Sequence, residues 1–200
     1  RHGQGPEESV KWSEPITVAA PSASPDSIDE AKVFLSVDHS DHDTLISSFI
    51  AAGVSRGEAT TGTRFAEQTV QLWADHWSDL ETLPIGPGSA VTEITFQDRE
   101  GSAQTVPSED YELVGAGLSR ALRPSDGSEW PSDVRDETAA IRVTMTIGYT
   151  ELPASLVAAV LLMAGDLYAH RETASVGMTT GEIPTSMQVD TLLNQYRIWL

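Results

Sequence analysis

The hydrophobic period of this chain changes twice, and those two changes constrain the fold more than any composition figure. From Ile28 the apolar residues recur at helical spacing, with Ile28, Ala31, Phe34 and Leu35 in one stripe and Leu45, Ile46, Phe49 and Ile50 in a second. From about residue 68 the period becomes two. Residues 69–74 alternate, Thr92, Ile94 and Phe96 alternate with Glu93, Thr95 and Gln97, and 141–147 alternates most cleanly. After Gly148 and Tyr149 the helical period returns, and Leu156, Val157, Val160, Leu161, Ala164, Leu167 and Tyr168 share a face that Leu162 and Met163 widen. A helix apolar over most of its circumference is central to a bundle or covered by a neighbouring subunit. The expected class is α+β: a helical bundle formed by the N- and C-terminal helices (residues 26–67 and 150–200), with a small antiparallel β subdomain (68–149) inserted in it.

Local signals set the expected boundaries. Residues 1–25 are rich in Pro, Ser, Gly and Ala around one short apolar run, Ile16-Thr17-Val18, and read as a flexible N-terminal extension. The first residues lack an initiator Met and the basic-then-apolar pattern of a signal peptide, so they read as a trimmed end or an extension. Ser27-Ile28-Asp29-Glu30 fits a capping box. Ser40-Asp41-His42-Asp43 starts a helix expected to run from about 41 into the high fifties, weakened near Gly53 and Gly57. Asp98-Arg99-Glu100-Gly101 is a turn that closes a hairpin onto Ala103 to Val106, and 111–114 offers another short strand. Leu83 to Gly88 and Arg123 to Gly127 read as loops, as do 173–186, while 189–200 reads as a terminal helix ending in aromatics.

Charge narrows the partners. Thirty Asp and Glu against twelve Lys and Arg give a formal charge of −18, spread over both halves of the chain. Such a chain is repelled by bare phosphate backbones and anionic lipid. The absence of cysteine removes disulfides, thiolate nucleophiles and Cys-containing zinc sites together. The longest charge-free apolar stretch, 152–165, is short of the roughly 18–20 residues that a bilayer-spanning helix needs.

No pattern points to catalysis. Asp38-His39-Ser40-Asp41-His42-Asp43 has the ligand types for a divalent cation, but Asp and Ser before an apolar helical run are accounted for by helix capping. Asp166 and His170 share a helix face at i, i+4, with no third group to orient them. Gly115-Ala116-Gly117-Leu118-Ser119-Arg120 lacks the third glycine of a dinucleotide fingerprint and reads as a loop. Trp73, Trp77, Trp130, Trp199 and Tyr196 would suit stacking on single strands, but without a basic groove they read as packing residues. No catalytic residue, metal or cofactor is expected.

A resemblance runs along the chain. The helix Ser27 to Asp38, the next from Asp43 to Ala52, Thr61-Gly62-Thr63-Arg64-Phe65 with Gln68-Thr69, and Leu83-Pro84 with Pro87 before Val91-Thr92-Glu93-Ile94 open the series. Asp110-Tyr111-Glu112-Leu113, Trp130-Pro131, Gly148-Tyr149 before Leu152-Pro153-Ala154, Leu167 to Glu172, and Leu192 to Trp199 complete it. In this order the segments resemble the head–tail connector (adaptor) proteins of tailed phages and gene transfer agents, over about residues 26–200. The resemblance implies a non-enzymatic adaptor. About twelve copies would form a ring under the portal protein, join the capsid to a stopper or tail-completion protein, and continue the channel through which DNA passes without specific binding. It places the protein at the head–tail junction of a virion or phage-like particle, with assembly in the host cytoplasm and no membrane. Tyr196, Arg197, Ile198 and Trp199 are then the expected portal anchor, with docking onto the chain's own bundle as the competing reading. Leu156, Val160, Leu161, Ala164, Leu167 and Tyr168 are the expected subunit or bundle packing.

Two alternatives come from other classes. One is an acidic interaction module, or nucleic-acid mimic, that fills a basic partner site by charge complementarity. The other is a metal-binding enzyme domain built on Asp38 to Asp43 with His170.

Overall fold

The computed structural model describes residues 12–19, 27–170 and 187–198. In chain order these form β1 (Ile16–Ala19), α1 (Ile28–Leu35), α2 (Asp43–Thr61), β2 (Gln68–Ala74), β3 (Gly88–Gln97), β4 (Ala103–Val106), β5 (Tyr111–Ala116), β6 (Ser119–Pro124), β7 (Ile141–Ile147), α3 (Ala154–Ala169) and α4 (Met187–Asn194). Two compact units result. Gln68–Ile147 and the N-terminal stretch make one, and Pro21–Glu67 with Gly148–Leu200 make the other.

The β unit is a five-stranded antiparallel sheet in the order β1-β2-β7-β3-β4, with β5 and β6 as a separate two-stranded ribbon. Alternation puts Val70 and Leu72 of β2, Val143 and Met145 of β7, and Ile94 of β3 on one face, all fully buried. Leu80, Leu83, Ile85 and Leu122 pack against that face, and Trp77 stacks flat on Trp130 with ring centroids 4.7 Å apart. The β3–β4 turn is organised by one carboxylate. Asp98 Oδ1 accepts from the amides of Glu100 (3.1 Å) and Ser102 (2.7 Å), and Oδ2 accepts from Gln104 Nε2 (2.8 Å).

In the helical unit Ser27 Oγ caps α1 by accepting from the Glu30 amide at 3.1 Å. Buried Ile46 and Ile50 of α2 meet Leu156, Val160 and Met163 of α3. A strand-to-helix joint leads into α3 at Gly148, whose φ of +102° is open to glycine alone among common residues. A Cβ there would also collide with the Ala66 carbonyl.

These elements correct the expected class. The protein is mainly a β-sheet domain with four helices among the described residues, not a helical bundle carrying a small β insertion. Three local misreadings account for the difference. Ile16-Thr17-Val18 lies within edge strand β1, because an extended β-branched run pairs with β2 where the sequence suggested a flexible lead-in. The stretch from Gly115 to Gly127, read as loop, contains most of a hairpin. Its turn is Gly117-Leu118, and β6 buries Leu122 opposite Leu113 while Arg123 pairs with Glu112 at 2.7 Å. At the carboxyl end α4 stops at Asn194, and 195–198 leaves the helix that the sequence suggested.

Gly53 and Gly57 do not weaken α2, which runs unbroken to Thr61. Both are buried sites of close approach. A Cβ on Gly53 would lie 3.2 Å from the Val160 carbonyl, and one on Gly57 would lie 2.7 Å from two carbons of the fully buried Phe65 ring. Alanine at 57 would gain about 1 kcal/mol of helix propensity and lose about 1–3 kcal/mol to overpacking. Gly57→Ala is therefore expected to lower the denaturation midpoint, and Gly148→Ala, which meets backbone that cannot rotate away, to lower it further. Denaturant titration checks both, and a midpoint raised by Gly57→Ala would contradict the close packing.

The Asp98 turn generates a pH prediction. Hydrogen bonds from Gln104 first, then from the Ser102 amide, hold its carboxyl below the ordinary value of 3.8, so the folded state binds its proton later than the unfolded chain. That stabilisation is complete above the ordinary value and is lost as the pH falls toward the lowered one. Asp98→Asn should flatten the acid limb of the stability curve in that window, measured as unfolding midpoint against pH.

Candidate functional site

Where α2 ends, several elements of the helical unit converge on the chain's tail. Gly62, in the left-handed region at φ +71°, caps α2 by donating to the Glu58 carbonyl at 2.9 Å. The buried hydroxyls of Thr61 and Thr63 share a 2.7 Å hydrogen bond, and Thr61 Oγ1 reaches back to the Gly57 carbonyl at 2.8 Å. Glu58 bends over the turn, where Oε1 accepts from the Phe65 amide at 2.7 Å and Oε2 sits 3.9 Å from Arg64. The Thr61 carbonyl, beyond the helix's own ladder, accepts from the Ile198 amide at 2.8 Å.

That bond fixes the tail. Tyr196 packs edge-to-face on Tyr149 with centroids 6.2 Å apart, and its amide donates to the Leu193 carbonyl at 2.9 Å. Arg197, next in the chain, is exposed and lines a cavity of about 300 Å³ with Thr60, Asp190, Leu193 and Asn194. Carboxylate, guanidinium, amide and hydroxyl groups side by side can exchange hydrogen bonds with a peptide backbone or polar side chains. Of the four residues expected to anchor a partner, Tyr196 and Ile198 thus already touch their own unit and Arg197 is on the surface. Trp199 lies outside the described residues.

The expected packing residues divide along α3. Leu156, Val160 and Ala164 are buried in the unit's core, while Leu161, Leu167 and Tyr168 are half-buried. Tyr168 OH shares a 2.7 Å hydrogen bond with His42 Nδ1, and His42 packs edge-on against His39. Asp43, the last of the polar cluster, pairs with Lys32 at 2.8 Å. Among the described residues no group of three or more His, Asp or Glu is placed to hold an ion. His170 Nδ1 lies 2.8 Å from the backbone carbonyl of Asp166.

Surface features that the sequence reading passed over are apolar. Val33 is 81% exposed and Met187 87%, and Met187 borders a groove of about 460 Å³ with Leu162, Gln188, Thr191 and Leu192. In the β unit Ile16 and Val18 stand out from β1 at 57% and 56% exposure. The signal in the sequence was the β-branched run itself, set in a stretch whose Pro and Ser content masked it.

Comparison with solved structures gives the fold its context. Ten chains match, and three of them each have a TM-score of 0.70. One is from the neck of an empty gene transfer agent (GTA) particle computed with C6 symmetry, at 21% identity over 94% of this chain and 97% of that one. A second is from the virion of a native GTA particle, at 22% identity over 93% and 96%. A third is from the neck of a native GTA particle computed with C12 symmetry, at 22% identity over 94% and 97%. The chain has the fold of a GTA particle protein. No protein-family model and no curated protein matches the sequence. The likeness covers nearly the full length of the chain and agrees with the resemblance carried by the ordered segments.

Burial, and then the neighbouring Tyr196, pushes the Tyr149 hydroxyl up from 10.0 to about 12. The folded state therefore keeps this proton while the unfolded chain gives it up, so stability is whole below pH 10 and declines as the pH rises toward 12. Tyr149→Phe should remove part of that alkaline decline. Unfolding midpoints between pH 9 and 12 check it, and an unchanged slope would show that the Tyr149 hydroxyl does not carry the decline.

Proposed function

We propose that this protein is a structural neck component of a phage-like particle: an adaptor that forms a ring under the portal, joins the capsid to a stopper or tail-completion protein, and continues the DNA exit channel. The observation that carries the reading is the full-length fold likeness to chains of GTA necks and virions, two of them in necks computed with C6 and C12 symmetry. The residues support it in two further ways. Exposed apolar side chains are presented by both units, and a mixed polar surface lies beside Arg197. A charge of −18 suits a channel that must let duplex DNA pass without holding it.

In this reading the tail from Tyr196 to Trp199 meets the portal. The Ile198–Thr61 bond and the Tyr196–Tyr149 contact preorganise residues 196–198, so little chain entropy is lost there when Arg197 engages a partner. Assembly takes place on the portal as template, in the host cytoplasm, because free subunits of like charge repel while a ring of many weak contacts holds once seated. No metal, cofactor or membrane takes part.

Electron microscopy of the protein mixed with portal-bearing, tail-less particles tests the proposal. A symmetric ring under the portal is expected, and its absence at saturating protein, with the chain folded by circular dichroism, would overturn the adaptor reading. Trp199→Ala should weaken attachment to those particles with helical content unchanged. An equal loss of helical signal would assign Trp199 to the chain's own packing.

A further inference from the structure

The five-stranded sheet is open, and its two edges lie at opposite ends of one unit. Four antiparallel pairings separate β1 from β4, so the two edge strands run in the same direction. Both are four residues long, Ile-Thr-Val-Ala and Ala-Gln-Thr-Val, and neither contains a charged residue or a proline, although charged residues make up 21% of the chain. Natural edge strands are ordinarily protected from pairing by such residues, by a covering element, by shortness or by a bulge; here both strands are short and β1 shifts register between Thr17 and Ala19, but charge and proline are missing from both. Here all of β1 and the first three residues of β4 are exposed, with Ile16 and Val18 apolar and more than half open to solvent. Among the described residues neither outer edge has a strand partner.

Electrostatics favours the same place. The solvent face of the sheet, followed across the strands from Ile16 through Gln71, Thr144 and Glu93 and from Trp73 through Arg142, Thr95 and Thr105, carries two charges only. These are Glu93 and Arg142, which sit 3.8 Å apart and offset each other. Two copies bearing −18 each can therefore approach edge to edge without bringing like charges together there.

We infer that β1 of one copy pairs in parallel with β4 of the next, so that the sheet continues from subunit to subunit. The inference rests on the ring reading and names its joint. Because the mating edges differ, the contact is head-to-tail, the class that generates a ring when the rotation per copy closes. Main-chain hydrogen bonds supply the attraction, and Ile16 and Val18 are covered as the joint forms.

The absence of cysteine makes the test direct. Ile16 and Thr105 share the solvent face, and Ala103 lies two residues along that face from Thr105. Ile16→Cys is combined with Thr105→Cys in one chain and with Ala103→Cys in another, which samples two registers within the short Cβ separation that a disulfide requires. Val33→Cys with Thr105→Cys is the control, since Val33 is exposed on α1 of the other unit. Each variant is assembled on portal-bearing, tail-less particles, oxidised, and run on denaturing gels without reductant.

A ladder from dimers up to the whole ring in one of the two test pairs, and not in the control, is the expected result. Rings visible by microscopy with no ladder in either pair would overturn the edge joint and leave the adaptor reading standing. No ring from the cysteine-free parent would remove the adaptor reading, and this inference with it. As a second readout, Ile16→Lys with Thr105→Lys should abolish rings while the free chain keeps its unfolding midpoint; rings of normal occupancy from that variant would also overturn the joint.

Discussion

Strand β7 is where the structure is decided. It pairs along its whole length with β2, from Gln68 opposite Ile147 to Ala74 opposite Ile141, and with β3 on its other side. Its residues Ile141, Val143, Met145 and Ile147 are all fully buried. The β2–β7 pairing joins segments some seventy residues apart, which is costly in chain entropy and is offset only when the intervening strands also bury their apolar faces. Once it forms, the first residue of β2 lies opposite the last residue of β7, and the chain re-emerges at Gly148 beside Ala66. The end of α2 and the start of α3 thus lie just outside that pairing in the chain. The two glycines of α2 then allow the helices to approach, and the apolar face of α3 closes over Ile46 and Ile50.

That order explains which parts were legible. The cleanest alternation in the sequence, 141–147, is the central strand, and 69–74 and 92–96 are its two neighbours, so the heart of the sheet was readable from period alone. The extent of the sheet was not. Strand β1 is exposed on both faces and β6 alternates imperfectly, with Arg120 and Arg123 flanking Leu122; neither carries the buried alternation on which the reading depends, and both form because a partner strand is already in place. An α+β class was therefore expected with the weights reversed. The expected helical majority shrank because the last residues form a turn that satisfies an α2 carbonyl, a long-range bond that no local propensity signals.

The surfaces were less legible than the core for a related reason. A docking residue is recognised by being exposed when its type would be buried, and exposure is a tertiary property. Val33 falls outside the expected stripe of Ile28, Ala31, Phe34 and Leu35, and Met187 outside the expected terminal helix, so spacing sets both apart from the core, but their near-complete exposure as apolar side chains is visible only in the fold. The aromatic residues were expected to be an anchor because the sequence reads 189–200 as a terminal helix that ends in them. The tail's attachment to its own unit through Ile198 could be seen only in the fold.

Charge and burial together set how such a chain can associate. The buried part of α3 is spent on the subunit's own core, with Leu156, Val160 and Ala164 meeting α2, so each subunit has a core of its own before any partner arrives. What remains for association is narrow: half-buried Leu161 and Leu167, an apolar groove beside Leu162, two short neutral strand edges and a polar ledge at Arg197. Each is small against the repulsion between bodies of −18. An association built from such surfaces is weak pairwise and becomes firm only where a template holds many copies at once, since each seated subunit raises the effective concentration of the next joint. Under the proposed adaptor reading, a strongly acidic chain with short neutral edges would stay apart in solution and be held on the particle without needing a conformational switch to separate the two states.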